Sequence, residues 1–91
     1  MFKTLEELIA VIRQRKKSSI EGSYTNKLLN NKKLSVEKAK EEIAELVDAI
    51  DKNTNKVHET ADVLYHLMVL LEANGIKIED VMDELKKRQK R

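Results

Sequence analysis

The chain has 91 residues, of which 41% are hydrophobic and 37% are charged, and its formal net charge is +2. This length allows one small domain over residues 1–91 with a single core, and it excludes a multidomain enzyme. Because the chain has no cysteine, disulfides, thiol nucleophiles and cysteine-ligated metal sites are excluded. No apolar run approaches the roughly 20 residues that cross a bilayer, and no signal-peptide pattern opens the chain, so we expect a cytoplasmic protein.

The composition favours helices. The chain has no proline, two glycines, one phenylalanine and two tyrosines, while its many Lys, Glu, Leu, Ile and Ala residues are mostly good helix formers. We therefore predict an all-α fold with four main helices and a short one. Charge is unevenly distributed, because residues 41–62 hold seven acidic residues and two lysines between basic flanks. That arrangement suits a metal bound together with an anionic substrate.

The first predicted helix begins at Thr4, because Thr4 and Glu7 have the spacing of a capping box. A polar connection over residues 18–22 follows this helix. A short helix from Tyr24 to Asn30, capped by Ser23, comes next. The buried stripe of the first helix is predicted to contain Leu5, Leu8, Ile9 and Ile12.

Asn30 to Lys33 is predicted to be a turn, and Ser35 is predicted to cap a third helix from Val36 to about Ile50. The polar residues 51–55 then form a second turn. One face of the third helix carries Val36, Ala39, Ile43, Leu46, Val47 and Ile50.

A fourth helix is predicted from Lys56 to Asn74, closed by a left-handed turn at Asn74-Gly75. A last helix runs from about Glu79 to Lys90. Its apolar side is predicted to pack through Val81, Met82 and Leu85.

From Ala61 onward the fourth helix is apolar nearly all round. Its main stripe is Val57, Ala61, Leu64, Leu67, Met68 and Leu71, whereas Val63, Val69 and Leu70 lie on the other side. Such a helix must be covered on both sides, and a few short helices do not suffice for this. We therefore expect a homo-oligomer, most simply a twofold homodimer.

Two pairs of carboxylates flank the turn predicted at residues 51–55. Glu42 and Glu45 are three residues apart on the third helix, and Glu59 and Asp62 have the same spacing on the fourth. In an antiparallel hairpin these four carboxylates converge around one space. Because close like charges repel and carboxylate oxygens suit hard cations, the pattern predicts a Mg²⁺ site, with Mn²⁺ as a substitute.

Two neighbours of these pairs have more than one interpretation. Glu41 lies about 100° round the helix from Glu42, where it could hold a second ion, bind an outer water or face solvent. His66 follows Asp62 by four residues and could orient a ligand or contact substrate, although such a histidine is also typical of an ordinary core. Each carboxylate pair, taken alone, is typical of an exposed helix face.

Residues 41–45 (Glu-Glu-Ile-Ala-Glu) and 59–62 (Glu-Thr-Ala-Asp) resemble the EExxE and ExxD motifs of the all-α, MazG-type nucleotide pyrophosphohydrolases. Within that superfamily the chain resembles the phosphoribosyl-ATP pyrophosphatase family. Residues 22–29, residues 61–71 and the ending from Gly75 also carry this resemblance, which covers nearly the whole chain from Ile9. One departure is Lys40, because relatives commonly have a glycine just before the double Glu.

The resemblance implies Mg²⁺-dependent hydrolysis of an ATP derivative, phosphoribosyl-ATP, to phosphoribosyl-AMP and pyrophosphate, the second step of histidine biosynthesis. It implies a homodimeric MazG-like helical bundle as the scaffold. The residues that it implies as ligands of one or two Mg²⁺ are Glu42, Glu45, Glu59 and Asp62.

Several other residues are candidates for contacts with the substrate. Lys27 and Lys38 are candidate phosphate contacts at positions where the resemblance adds weight, and Arg13 and Lys40 are weaker candidates. The basic tail, Lys86 to Arg91, could steer a polyanion to the site. Tyr24 could stack on adenine or a ribose, or it could anchor its short helix to the core.

Three other functions compete with this one. A house-cleaning (d)NTP pyrophosphohydrolase would share the acidic site and differ in what surrounds the base. A noncatalytic helical dimer would use the acidic block as a protein-binding face. Nucleic-acid binding is disfavoured, because the basic runs lack interleaved aromatics and the acidic centre repels phosphates. We also expect no membrane partner.

Overall fold

The computed structural model describes residues 1–89. Five helices succeed one another along the chain, which confirms the all-α prediction of four main helices and a short one, and residues 1–89 contain no strand. The predicted end of the last helix at Lys90 lies outside the described residues. The five helices are α1 (Lys3–Lys17), α2 (Tyr24–Leu29), α3 (Lys32–Lys52), α4 (Lys56–Ala73) and α5 (Ile78–Gln89).

Two predicted helix starts are wrong, because each helix begins earlier than its predicted cap. In α1 the amide of Glu6 donates to the carbonyl of Phe2 at 3.2 Å, so Thr4 already lies in the first turn and Phe2 precedes the helix without a side-chain cap. In α3 the side chain of Asn31 accepts from the amide of Leu34 at 3.1 Å. Ser35, the predicted cap, is therefore buried inside the helix.

Helix α3 also runs to Lys52, two residues beyond its predicted end, whereas the predicted start of α2 and the predicted turn after α4 agree with the structure. Ser23 precedes α2, and its hydroxyl accepts from the amide of Asn26 at 3.2 Å, as a capping serine does. After α4 the backbone turns at Gly75, which has a φ of +69°. This left-handed conformation is one that glycine adopts without a steric penalty.

The core of the chain lies between α1, α2 and α4. Its buried members are Ile9, Ile12, Leu28, Met68 and Val69. Val69, which the prediction placed on the minor side of α4, is 0% exposed. The predicted stripe of α1 is confirmed, because Ile9 and Ile12 are buried while Leu5 and Leu8 pack against the cluster.

The predicted apolar faces of α3 and α4 are largely exposed in the protomer. Of the six residues on the predicted face of α3, only Ala39 is buried and Leu46 is half-buried. The reason is that α1 and α2 cover one side of the α3–α4 pair, and within residues 1–89 nothing covers the other. The exposed apolar residues of this uncovered side are Val36, Ile43, Val47, Ile50, Val57, Leu64 and Leu67.

Helix α5 packs less than predicted. Val81 is half-buried, but Met82 and Leu85 are 49% and 45% exposed. Ile78, at the first position of the helix, packs against the core cluster. The helix is held at this end, and Met82 and Leu85 on its apolar side remain exposed.

Candidate metal centre

A short turn folds α4 back along α3. Asn53 and Asn55 have left-handed backbone conformations, with φ of 56° and 40°. Asparagine tolerates this region better than other residues with a side chain. The amide of Thr54 donates to the carbonyl of Ala49 at 2.9 Å and closes the end of α3. The short connection makes the two helices antiparallel neighbours, as predicted, and sets their acidic pairs opposite each other.

Three of the four predicted metal-binding carboxylates come together between these helices. Glu42 and Glu45 of α3 and Glu59 of α4 each offer one carboxylate oxygen, and the three oxygens lie within 4.8 Å of one another. Glu42 and Glu59 are half-buried, whereas Glu45 is exposed. A cleft of about 170 Å³ lined by Glu45 and Glu59 opens beside them at the turn.

The electrostatics of this cluster are unfavourable for the carboxylates alone. The Oε2 atoms of Glu42 and Glu59 are buried and have no hydrogen-bond partner among the described residues. Burial raises the pKa of Glu42, and the nearby carboxyl of Glu45 raises it further. Burial and Glu45 raise the pKa of Glu59 in the same way. A bound cation would remove both penalties, because it neutralises the repulsion and supplies a partner to the buried oxygens.

Asp62, the fourth predicted ligand, lies in an adjoining group. Oxygen and nitrogen atoms of His58, Glu59 and Asp62 lie within 4.8 Å of one another, so Glu59 belongs to both groups. The Nε2 atom of His58 is 3.4 Å from Oδ2 of Asp62. The four predicted carboxylates therefore form one continuous acidic patch across the hairpin, with the exposed His58 at its edge.

The chemistry of these donors fits a hard divalent cation. Oxygen is the donor that Mg²⁺ prefers, and Mg²⁺ usually binds one or two carboxylates and keeps several waters. Two buried carboxylate oxygens without partners and an open cleft beside them match that requirement. The residues present could therefore hold Mg²⁺.

Helix α2 docks beside this patch through Tyr24 and His66. The Nδ1 atom of His66 is 2.8 Å from the carbonyl oxygen of Asp62, and since a carbonyl only accepts, Nδ1 carries the hydrogen. In the neutral ring Nε2 is then an acceptor, and the hydroxyl of Tyr24 donates to it at 3.0 Å. His66 is 7% exposed and Tyr24 is 44% exposed. Tyr24 is thus held by its hydroxyl while part of its ring remains accessible.

The charged side chains that shift the pKa of Tyr24 lie on α3. Burial raises the pKa of Tyr24, the ammonium of Lys38 lowers it, and the carboxyls of Glu42 and Glu41 raise it. Lys38 donates to Oε2 of Glu41 at 3.3 Å, and this hydrogen bond raises the pKa of Lys38. The structure therefore pairs Glu41, a candidate for a second ion or an outer water, with a lysine, and leaves it outside both acidic groups.

The remaining cations with a predicted role have different surroundings. Lys27 lies on α2 at the side of a pocket formed with residues 19–30. Lys40 is exposed on α3. Arg13, a weaker candidate for phosphate contact, donates to Glu72 and to Glu79, each at 2.9 Å or less, and so joins an ionic cluster between α1, α4 and α5. These bonds raise the pKa of Arg13.

Two features of the site were missed by the sequence prediction. His58 stands four residues before Asp62, and this helical spacing is the signal that could have found it. Tyr24 and His66 were each singled out alone, but their contact spans 42 positions along the chain.

Within residues 1–89 no helix is long and apolar enough to span a membrane.

The comparisons with known proteins give a consistent result. A family model described as phosphoribosyl-ATP pyrophosphohydrolase matches residues 5–89. A phosphoribosyl-ATP pyrophosphatase from Metallosphaera sedula is 44% identical over 93 aligned positions, which cover 99% of this chain and 100% of the relative. The enzyme of the same name from Methanococcoides burtonii is 40% identical, over 93% of this chain and 91% of the relative.

A bifunctional relative also matches. The histidine biosynthesis bifunctional protein HisIE of Pyrococcus furiosus is 42% identical over 86 residues. The alignment covers 94% of this chain but only 41% of that protein. The chain therefore spans less than half the length of the bifunctional relative.

Proposed function

This chain belongs to the phosphoribosyl-ATP pyrophosphohydrolase family, and we propose that it hydrolyses phosphoribosyl-ATP to phosphoribosyl-AMP and pyrophosphate in histidine biosynthesis. The family match and the relatives' names support this substrate. The proposal covers the pyrophosphohydrolase reaction alone, because the chain matches only 41% of the bifunctional relative. A cytoplasmic location stays a prediction from the sequence.

The single observation that carries the metal site is the pair of buried, unpartnered carboxylate oxygens on Glu42 and Glu59. We propose that these two residues, with Glu45 and Asp62, hold Mg²⁺, and that Mn²⁺ can replace it. When bound, Mg²⁺ neutralises the charge that develops on the pyrophosphate leaving group. Glu41 stays a candidate for a second ion or an outer water.

The reaction divides the triphosphate between its α and β phosphorus atoms. Water forms a new bond to the α phosphorus, the bridging P–O bond breaks, and pyrophosphate leaves with the electron pair. The chain's carboxylates bind the metal and, through oxygens that the metal does not use, orient the water and accept its proton. We propose that Lys38, whose ammonium bonds Glu41 and lies near Glu42, contacts a phosphate of the bound triphosphate.

We propose a homodimer in which the uncovered side of the α3–α4 hairpin is the interface. Ile43, Val47 and Ile50 are each at least 50% exposed on α3, and Val57 is 85% exposed at the start of α4. Monomeric proteins rarely expose so continuous an apolar face. A twofold contact would bury the same face of both copies.

Turnover of defined substrates tests the proposed reaction. Purified protein is assayed for pyrophosphate release from phosphoribosyl-ATP, ATP, dATP and dCTP at equal concentrations with Mg²⁺. We expect phosphoribosyl-ATP to be preferred in kcat/KM by about a hundredfold or more, since one extra charged group can supply roughly 3 kcal/mol. Preference for a plain dNTP would instead support the house-cleaning function, and no release from any of them would support a noncatalytic dimer.

A further inference from the structure

A second concave surface includes Tyr24 in its wall and none of the four predicted metal ligands. Its volume is about 730 Å³, within the usual range for small-molecule sites. Residues from the α1–α2 connection and from α2 form its walls. We call it the loop pocket, and the lining side chains that matter here are those of Ile20, Glu21, Ser23, Tyr24, Asn26 and Lys27.

The walls of the loop pocket are fixed by Asn26. This residue is 6% exposed. Its Nδ2 donates to the carbonyl of Arg15 at 2.8 Å and to the hydroxyl of Ser19 at 3.3 Å, and its Oδ1 accepts from the amide of Ile20 at 3.0 Å. Three bonds from one buried side chain hold the connection against α2, so the pocket is preformed.

Tyr24 joins the loop pocket to the acidic patch. Tyr24 lines the pocket and is partly exposed, while its hydroxyl donates to His66, whose other ring nitrogen donates to the carbonyl of Asp62. On the inner side the ring stacks on Tyr65, with a centroid separation of 6.4 Å and an angle of 19° between the planes. An aromatic ring held at both its edge and its inner face offers the other face for stacking at little entropic cost.

Lys27 is the cation of the loop pocket. It follows Tyr24 by three residues on α2 and so lies on the same side of that helix. Among residues 1–89 it forms no ion pair, whereas Arg13 and Lys38 are both paired. An unpaired ammonium in the lining of a preformed pocket is suited to a phosphate that lies away from the metal.

We propose that the loop pocket binds the half of the substrate that leaves as phosphoribosyl-AMP, with the purine on the ring of Tyr24 and the 5′-phosphate of the phosphoribosyl group at Lys27. This inference rests on the proposed function, because that phosphoribosyl group is what distinguishes the substrate from ATP. The acidic patch and its metal then hold the triphosphate, and the loop pocket selects the nucleotide that carries it.

Binding of two products to the full chain tests the loop pocket without turnover. Isothermal titration calorimetry is done with phosphoribosyl-AMP and with AMP, in EDTA so that no metal takes part. We expect Lys27→Gln to weaken phosphoribosyl-AMP by roughly tenfold and to leave AMP within twofold, since a charged hydrogen bond is lost only with the first ligand. Lys3→Gln, at the exposed start of α1 and outside the loop pocket, is the matched control and should change neither affinity.

The stacking surface is tested by two substitutions at one position. Tyr24→Leu should weaken both nucleotides by about tenfold, because stacking on an aromatic ring is lost. Tyr24→Phe keeps the ring and should stay within about threefold of the wild type. The proposal is overturned if Lys27→Gln binds phosphoribosyl-AMP as tightly as Lys3→Gln does, or if Tyr24→Leu binds AMP like the wild type.

The failure of this inference and that of the proposed function can be told apart. If the wild type hydrolyses phosphoribosyl-ATP but Lys27→Gln leaves its KM unchanged, only the loop pocket is wrong. If the wild type does not hydrolyse phosphoribosyl-ATP at all, the proposed function fails whatever the calorimetry shows. Lys27 is exposed, so its substitution keeps the test decisive even if Tyr24→Leu does not fold.

Discussion

Arg13 on α1 holds Glu79 on α5 through two parallel hydrogen bonds, Nη1 to Oε2 at 2.9 Å and Nη2 to Oε1 at 2.7 Å. The Nε of the same guanidinium donates to Glu72 on α4 at 2.9 Å. One arginine therefore connects three helices. Because α5 has no buried residue between Ile78 and Gln89, this side chain is a principal tie between α5 and the rest of the domain.

Removing the charge of Glu79 should destabilise the fold in a pH-dependent way. Hydrogen bonds from Arg13 lower the pKa of Glu79 from 4.5 to about 2. A carboxyl whose pKa is lower in the folded state contributes stability above pH 4.5 and loses it as the pH falls towards 2. Thermal melts of Glu79→Gln should show a lower Tm than the wild type at pH 7, with the gap narrowing as the pH falls from about 5 to about 2.

Glu84→Gln is the control for that measurement. Glu84 is also exposed on α5, but it pairs within its own helix with Arg88 at 3.1 Å. We expect a smaller change in Tm from this substitution, because an exposed pair four residues apart contributes little. A gap between Glu79→Gln and the wild type that stays constant with pH would contradict the role given to Arg13.

In the absence of metal, the acidic patch should make the folded chain more stable at lower pH. The pKa values of Glu42 and Glu59 are raised in the folded state, so folding takes up protons and stability rises as the pH falls towards 4.5. Melts in EDTA should therefore give a higher Tm at pH 5.5 than at pH 7.5. Addition of Mg²⁺ at pH 7.5 should raise the Tm by mass action. A Tm that is the same at both pH values and does not change when Mg²⁺ is added would contradict this account of the patch.

The hydrogen bond between Tyr24 and His66 should contribute measurably to stability. Tyr24→Phe removes the donor and leaves Nε2 of His66 without its partner, which should cost about 1 kcal/mol in urea unfolding. In a cycle with His66→Leu, the effect of Tyr24→Phe should largely disappear, because the acceptor is already absent. Additive effects of the two substitutions would show that the hydroxyl and the ring do not interact in solution.

The uncovered face of the hairpin should hold two copies together. Val47→Asp places a charge in the centre of the exposed apolar side of α3 and should convert a dimer of twice 10.5 kDa to a monomer, as measured by light scattering. Val11→Asp is the matched control, because Val11 is 48% exposed on α1, close to the 53% of Val47. A monomeric wild type, or a dimer that survives Val47→Asp, would contradict this interface.

Periodic patterns in the sequence predicted most of the helices, but the way they pack was harder to infer. The stripe of α1 and the capped α2 were right, because each depends on residues a few positions apart. For α4, the prediction placed Val57 in the main apolar stripe and Val69 on the other side of the helix. An all-round apolar helix does not reveal which side its own chain covers, and here Val69 is buried while Val57 is exposed.

The candidate site was predictable to the extent that it follows helical spacing. Glu42, Glu45 and Glu59 converge as expected, because the turn at residues 53–55 sets two regular helices side by side. The loop pocket was not predictable. It depends on a hydrogen bond from Asn26 to the carbonyl of Arg15, 11 residues earlier in the chain. The sequence has no pattern that predicts this contact.

Pyrophosphate release from phosphoribosyl-ATP, measured with Mg²⁺ and with EDTA for the wild type, Glu59→Gln and Glu37→Gln, tests the central claim most directly. Glu37 is exposed on α3 and lies outside both acidic groups, so it is the matched control. The account predicts release that requires Mg²⁺, falls by on the order of a hundredfold or more in Glu59→Gln, and is unchanged in Glu37→Gln. Release that persists in EDTA, or that Glu59→Gln retains in full, would contradict it.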